Sequence, residues 1–256
     1  MYPWLHGLLS DKKDGILFSC FGIWHLLYLF VILGGIFLIY RFARNKSSQT
    51  RQRIVDATIG IAFLLYILDF FLMPFAYGAI DLEKLPFHAC TAMCVMSFIS
   101  SRSGHLRRFK NHFALLGLVS NFVYLIYPAG VMWHQVHPFC YRTVQTLLFH
   151  GVMSAYGIFV LALEDNPLTW KNWYRELFTI AGMTIWALVG NALYTGVPGS
   201  PKQGFNWFFV TQDPFYIFPK NIAPYIMPPL VILVFFAVEM GIYWLYFALK
   251  RRQIRR

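Results

Sequence analysis

Charge is scarce in this sequence. Asp, Glu, Lys and Arg together make up 13% of its 256 residues, whereas 58% are hydrophobic and the mean hydropathy is +0.52. Soluble domains carry about 25% charged residues, so a soluble globular fold is excluded. No glycine-rich phosphate loop, dinucleotide fingerprint, low-complexity tract or internal repeat is present, which argues against nucleotide-driven and repeat-built proteins. The four cysteines, Cys20, Cys90, Cys94 and Cys140, lack metal-knuckle spacing, and Cys90 and Cys94 lie one helical turn apart. Residues 1–14 hold Asp11, Lys12, Lys13 and Asp14 and do not read as a cleavable leader.

What is present is apolar sequence in long blocks, the pattern of a polytopic membrane protein. An all-α bundle of seven transmembrane helices in one domain is expected. The spans are placed at about 16–40, 54–80, 85–101, 110–128, 141–163, 174–195 and 222–249, and the third is close to the lower limit of about 17 residues for a crossing. The net charge of +11 is distributed by side. Sixteen basic residues follow spans one, three, five and seven: Arg41, Arg44, Lys46, Arg51 and Arg53; Arg102, Arg107, Arg108 and Lys110; Lys171 and Arg175; and Lys250, Arg251, Arg252, Arg255 and Arg256. The other six are Lys12, Lys13, Lys84, Arg142, Lys202 and Lys220. The positive-inside rule then places the N-terminus outside and the C-terminus in the cytoplasm of a multi-pass protein of the plasma (cytoplasmic) membrane. The basic excess is thus a topology signal with attraction to anionic lipid, not a nucleic-acid footprint.

With this topology, depth follows from position at about 1.5 Å per residue. Cys90 lies a turn or so below the outer surface on span three, and His150 lies deeper on span five. Asn121, Asn191 and Tyr194 fall in the outer half, Asp69 falls near the middle, and His25 comes from span one. Such groups are costly in hydrocarbon and are expected to face the bundle. Asn121 and Asn191 also suit plain helix-joining amides, and Asp69 suits a packing partner as well as a site residue. Arg142, Thr146 and His150 share one helix face, bordered by Gln145. The guanidinium can bind a phosphate headgroup bidentately, although snorkelling accounts for it equally.

Cys90 has a local argument of its own. Pro86 suits a first helical turn, which would put free backbone N–H groups and the positive dipole end beside the thiol, where negative charge develops. A nearby imidazole would complete an activated nucleophile. His150 is the chosen base and His88 the reserve. A Cys90–Cys140 disulfide is the competing structural role for the thiol.

Leu85 to Cys90, Gln145 to Gly151, and Asn191 with Gly204-Phe205-Asn206-Trp207-Phe208-Phe209 resemble the YwaF-like family of integral membrane proteins across about residues 50–240. Its animal relatives, of the transmembrane-protein-164 type, are acyltransferases that move an acyl chain between phospholipids, chiefly onto ether-linked lysophosphatidylethanolamine, with a cysteine and a histidine. The resemblance implies that Cys90 and His150 are that pair. It also implies phospholipid and lysophospholipid substrates and no cofactor.

Acyl transfer through a Cys90 thioester is therefore the leading expectation, with Arg142, Asn121, Asn191, Asp69, His88 and Gln145 around the substrate. One rival is a zinc-dependent seven-helix lipid hydrolase using His25, Asp69, His88 and His150, against which no span holds a His-x-x-x-His pair. A second is a transporter or lipid-binding scaffold with a proton path through Asp69, Glu239 and His150, against which no inverted repeat is evident. The segment 196–221, with Gly199, Pro201, Pro214 and Pro219, is long for a connector. It is expected to form an outer lid or re-entrant segment, with Asn206, Trp207 and Asp213 over the site, although an interfacial aromatic belt accounts for its tryptophan and tyrosines equally.

Overall fold

The helix Tyr141–Leu163 (α6) runs through the middle of the structure, and the rest of the fold is arranged around it. The computed structural model describes residues 9–11, 15–77, 81–165, 167–202 and 204–254. Lys12, Lys13, Asp14, residues 78–80 of the second expected span, Arg255 and Arg256 lie outside the described residues. Among those described, the other helices are Ile23–Ala43 (α1), Ser48–Tyr77 (α2), Ala89–Arg102 (α3), Lys110–Ile126 (α4), Ala129–His134 (α5), Tyr174–Tyr194 (α7) and Ala223–Ile254 (α8). The fold class is all-α, as expected.

Among the described residues, six helices are long and apolar enough to cross a membrane: Ile23–Ala43, Ser48–Leu72, Arg107–Met132, Tyr141–Leu163, Trp170–Tyr194 and Ala223–Arg251. The chain is a multi-pass membrane protein. The third expected span is the exception, because α3 has only 14 residues. At 1.5 Å per residue that is about 21 Å, less than a hydrocarbon core of about 30 Å. Its composition agrees: Ser97, Ser100 and Ser101 cluster in its last turns, and Ser100 and Ser101 turn their hydroxyls back onto the carbonyls of Ser97 and Phe98. α3 lies antiparallel to α2, with Phe98 stacked on Phe63 at 3.9 Å.

Three boundaries also move. α1 begins at Ile23 rather than 16, because Gly22 in extended conformation caps it. α2 begins at Ser48 rather than 54, since the polar turn Ser48–Arg53 is already helical. α8 continues to Ile254 rather than ending at 249. The short α5, closed by Gln135 in the left-handed region (φ 50°), was not expected at all.

Small residues bring α4 and α6 together. A Cβ at Gly157 would lie 2.5 Å from the Leu118 Cβ and 2.9 Å from the Ala114 carbonyl oxygen, so only glycine fits. In lipid, where the hydrophobic effect does not drive helices together, such close backbone contact is a main source of association. α6 also packs on α1, α2 and α3, and α4 joins this group to α7 and α8. One apolar cluster links Cys94, Phe149, Met153 and Tyr156 with α2, and another links Phe87, Met93 and Met183 with Trp207 and α8.

Part of the segment 196–221 packs into the bundle. Phe205, Trp207 and Phe208 are all buried, and Phe205 stacks on Trp207 at 4.1 Å. Phe208 and Phe209 both have positive φ, 57° and 56°, a conformation that bulky residues take only when surrounding contacts hold them there.

Candidate active site

α3 starts three residues later than a first-turn Pro86 would require. His88 is its N-cap, in extended conformation, and Pro86 stands outside the helix with its carbonyl accepting from the Trp186 indole N–H at 2.7 Å. Cys90 is therefore the second helical residue. The His88 carbonyl takes its bond from the Ala92 amide, so the amides before it belong to the unpaired first turn. The backbone N–H groups of Thr91 and of Cys90 itself stand near the Cys90 sulfur, in a first turn that starts without the proline.

His150 lies on the buried face of α6. Its Nδ1 is 2.7 Å from Asn121 Oδ1, while Asn121 Nδ2 donates to the Gly117 carbonyl at 2.6 Å. The second bond fixes which end of the amide faces the ring. Asn121 Oδ1 must accept, so His150 Nδ1 carries the hydrogen and Nε2 carries the lone pair. Tyr124 stacks flat on the imidazole, with centroids 3.9 Å apart and an interplanar angle of 15°. The tyrosine is fixed in turn by the backbone of Gly130 and Val131 at α5. Asn121 thus orients the imidazole, and its amide is engaged with the ring and the Gly117 carbonyl.

Cys90 and His150 share surroundings. Tyr124, stacked on His150, is also within electrostatic reach of Cys90. Lys84 is within reach of Cys90, His88 and His150 alike. Cys90 packs against the same apolar cluster as Phe149, the neighbour of His150. Cys90 is half-buried, and it and Cys140 are free thiols. The Cys90–Cys140 pairing is not formed, because Cys140 caps α6 and meets Thr143 Oγ1 at 3.3 Å.

The other expected site residues are engaged as follows. Buried Asp69 forms an ion pair with Lys84 at 2.7 Å, and the Lys84 carbonyl accepts from the Tyr66 hydroxyl at 3.0 Å. Arg142 Nε donates to both oxygens of Asp11, at 2.9 and 3.0 Å, so an acidic side chain occupies the place expected for a phosphate. Asn191 holds the returning loop at both ends of its amide: Oδ1 accepts from the Trp207 N–H at 3.1 Å and Nδ2 donates to the Trp207 carbonyl at 3.2 Å. It is a loop clamp, not an oxyanion donor. His88 Nδ1 accepts from the Phe208 N–H at 3.4 Å, which ties the same loop to the start of α3. Gln145 is buried beside Thr146, whose hydroxyl reaches its Oε1 at 3.5 Å.

His25 is spent elsewhere, with Nδ1 accepting from Phe21 N–H at 2.9 Å and Nε2 meeting the Leu125 carbonyl at 2.8 Å. Among the described residues, no three His, Cys, Asp or Glu side chains are arranged to hold a metal ion. The four residues proposed for zinc therefore do not form a donor set.

Asn206 and Asp213 shape the loop itself. Asn206 Oδ1 accepts from the amides of Thr211 and Gln212 at 3.1 and 3.0 Å. Asp213 accepts from the amides of Phe215, Ile217 and Phe218 at 2.8, 2.6 and 2.8 Å. Burial pushes the Asp213 carboxyl up, but these three donors outweigh it and hold it below the ordinary carboxylate value. A cavity of about 580 Å³, lined in part by Asn191, Thr195, Phe205, Asp213 and Lys220, opens beside this loop. Neither Cys90 nor His150 lines it.

Two residues of the site carried no functional signal in the sequence. Lys84 counted only toward charge topology, and Tyr124 passed as one aromatic among many.

No curated protein and no solved structure matches this chain. The model of the TMEM164 family matches residues 20–249, nearly the full sequence and including every residue of the site, and the chain belongs to the TMEM164 family.

Proposed function

We propose that this protein is a membrane-embedded lipid acyltransferase that moves a fatty acyl chain between phospholipids through a thioester on Cys90, with His150 as the base. The observation that carries the reading is the His150–Asn121 bond, which leaves Nε2 of a buried imidazole unprotonated in the neighbourhood of a thiol at a helix start. Family membership agrees with it, as do the motif resemblances to YwaF-like proteins and their animal acyltransferase relatives.

In the first half-reaction, the Cys90 sulfur attacks the ester carbonyl of a donor phospholipid as its proton passes to His150 Nε2. The amides of Cys90 and Thr91 stabilise the oxyanion. The C–O bond breaks, the leaving alkoxide takes the proton from His150, and a lysophospholipid departs. In the second, His150 removes the proton from an acceptor lysolipid hydroxyl, whose oxygen attacks the thioester. The C–S bond breaks, and sulfur regains the proton. Water in place of the lysolipid gives hydrolysis.

The test is mass spectrometry of protein quenched during turnover with a phospholipid donor. An acyl adduct on the peptide containing Cys90, absent in Cys90→Ala, is expected. Undiminished transfer by a folded Cys90→Ala variant would eliminate the mechanism.

A further inference from the structure

A second group of buried polar residues lies far from Cys90. His112 opens α4 and Glu176 opens α7, whereas Asn121 and Asn191 lie toward the other ends of the same helices. Nine residues of α4 separate His112 from Asn121, about 13 Å along the axis. Glu176 is fully buried. Its Oε1 meets His112 Nδ1 at 2.6 Å and accepts from the Tyr243 hydroxyl at 2.7 Å. Its Oε2 has no partner. Glu239, one turn before Tyr243 on α8, is also fully buried, and neither of its oxygens has a partner. Tyr243, which binds Glu176, stands at i+4 from Glu239 on one face of α8, so Glu239 faces the same side as that bond.

Three unpartnered carboxylate oxygens in the interior of a membrane bundle need a positive ligand. An isolated ionised carboxylate is not tolerated in such a setting; it is paired, coordinates a cation or is neutralised. The surroundings narrow the choice. Leu115 of α4, Leu161 of α6 and Leu168 close the space around Tyr243 with hydrocarbon. The titratable and charged groups about the pair are His112 from α4, Arg175 from α7 and Tyr243 from α8, and the first and last already bind Glu176 Oε1. Lys110 belongs to a separate pair with Glu164. Two carboxylates in a dry wall are too few oxygens for a metal ion, which needs several, and no three-residue metal set is present among the described residues. One proton satisfies the pair.

We propose that Glu176 and Glu239 form a proton-binding site at the end of the bundle remote from Cys90, with one proton shared between Glu239 and the free Oε2 of Glu176. A carboxylic acid on Glu239 donates to a carboxylate on Glu176, whose other oxygen takes its two bonds from His112 and Tyr243. The shared proton joins α8 to α7 and, through His112, to α4. This inference does not depend on the acyl-transfer reading.

The experiment is infrared spectroscopy of the full chain in lipid nanodiscs, in H2O and in D2O at neutral pH, on the wild type and Glu239→Gln. The expected result is a deuterium-sensitive carboxylic C=O band in the wild type that the variant lacks. The variant should keep the wild-type melting temperature, since a neutral amide that can donate to Glu176 replaces the acid. Absence of such a band from the wild type overturns the proposal without any variant, and so does its persistence in Glu239→Gln. A Glu239→Gln chain that fails to fold, or a wild type whose melting temperature rises in NaCl over choline chloride, identifies a cation or a charge in place of the proton.

Discussion

His150 and Asn121 are joined by a 2.7 Å bond across the α4–α6 contact, and the bond sets the tautomer of the imidazole. Asn121 touches neither thiol nor lipid in the proposed reaction and acts only through the ring. Asn121→Leu should then lower kcat for acyl transfer by about a hundredfold, the low end of what a positioned base supplies. KM for the lipid should be unchanged. Asn121→Asp, which keeps an acceptor facing Nδ1, should recover part of the loss. Transfer by Asn121→Leu within twofold of wild type would show that the bond joins helices and does not position the base.

Asn191 clamps Trp207 through both its N–H and its carbonyl, which holds Phe208 and Phe209 in their left-handed conformation over His88. Asn191→Leu removes both bonds and leaves the two buried backbone groups unsatisfied, at about 1–3 kcal/mol each. The 205–211 turn is expected to open. Hydrogen exchange should accelerate at Trp207 and Phe208 while α6 keeps its protection. Equal protection of the turn in the variant and the wild type would show that packing of Phe205 and Trp207 alone holds it.

The helices were legible in the sequence because long apolar runs leave few alternatives in a bilayer. The shortness of α3 is visible in its serines, but the apolar block at 85–101, close to the lower limit for a crossing, reads as a span. Azimuth was not legible. That Asn121 faces His150, and Asn191 faces a backbone 16 residues further on, depends on helix rotation, and hydropathy carries little of that information when lipid and core are equally apolar. For the same reason Arg142 read as a headgroup ligand when its partner is Asp11, and Lys84 read as a topology marker when it enters the bundle to meet Asp69. Pro86 invited a helix start three residues too early, because a first-turn signal and a pre-cap proline look alike. Glu239 and Glu176 lie on different spans, so whether they meet is again a matter of helix rotation.

Lys84 and Asp69 form a buried ion pair, and the carboxylate is the more deeply buried, with 4% of its side chain exposed against 21% for the lysine. Breaking one partner of such a pair strands a charge, so Asp69→Asn and Lys84→Met should each destabilise the protein by about 3 kcal/mol. The double variant should recover most of that loss. A double-mutant cycle of unfolding in mixed micelles measures it. Additive losses would mean that the two side chains act independently despite their contact.

Asp213 offers a test by pH. Its carboxyl is pushed up by burial but held below the ordinary value by the amides of Phe215, Phe218 and Ile217, so the closed turn prefers the ionised form. A depressed carboxylate contributes its full stabilisation above the value of the free group, about 4. It loses that contribution as the pH falls from there through the lower folded value. The turn carries Phe215, Tyr216 and Ile217, all strongly exposed, so loosening it frees an apolar tip and leaves the core alone. Amide protection at 215, 217 and 218 should be high at neutral pH in the wild type and low in Asp213→Asn, which lacks the charge and one acceptor oxygen. On acidification the wild type should approach the variant measured at the same pH, while the variant's protection relative to intrinsic exchange stays flat. Matching protection of wild type and variant at neutral pH would remove the carboxylate as the element that shapes the turn.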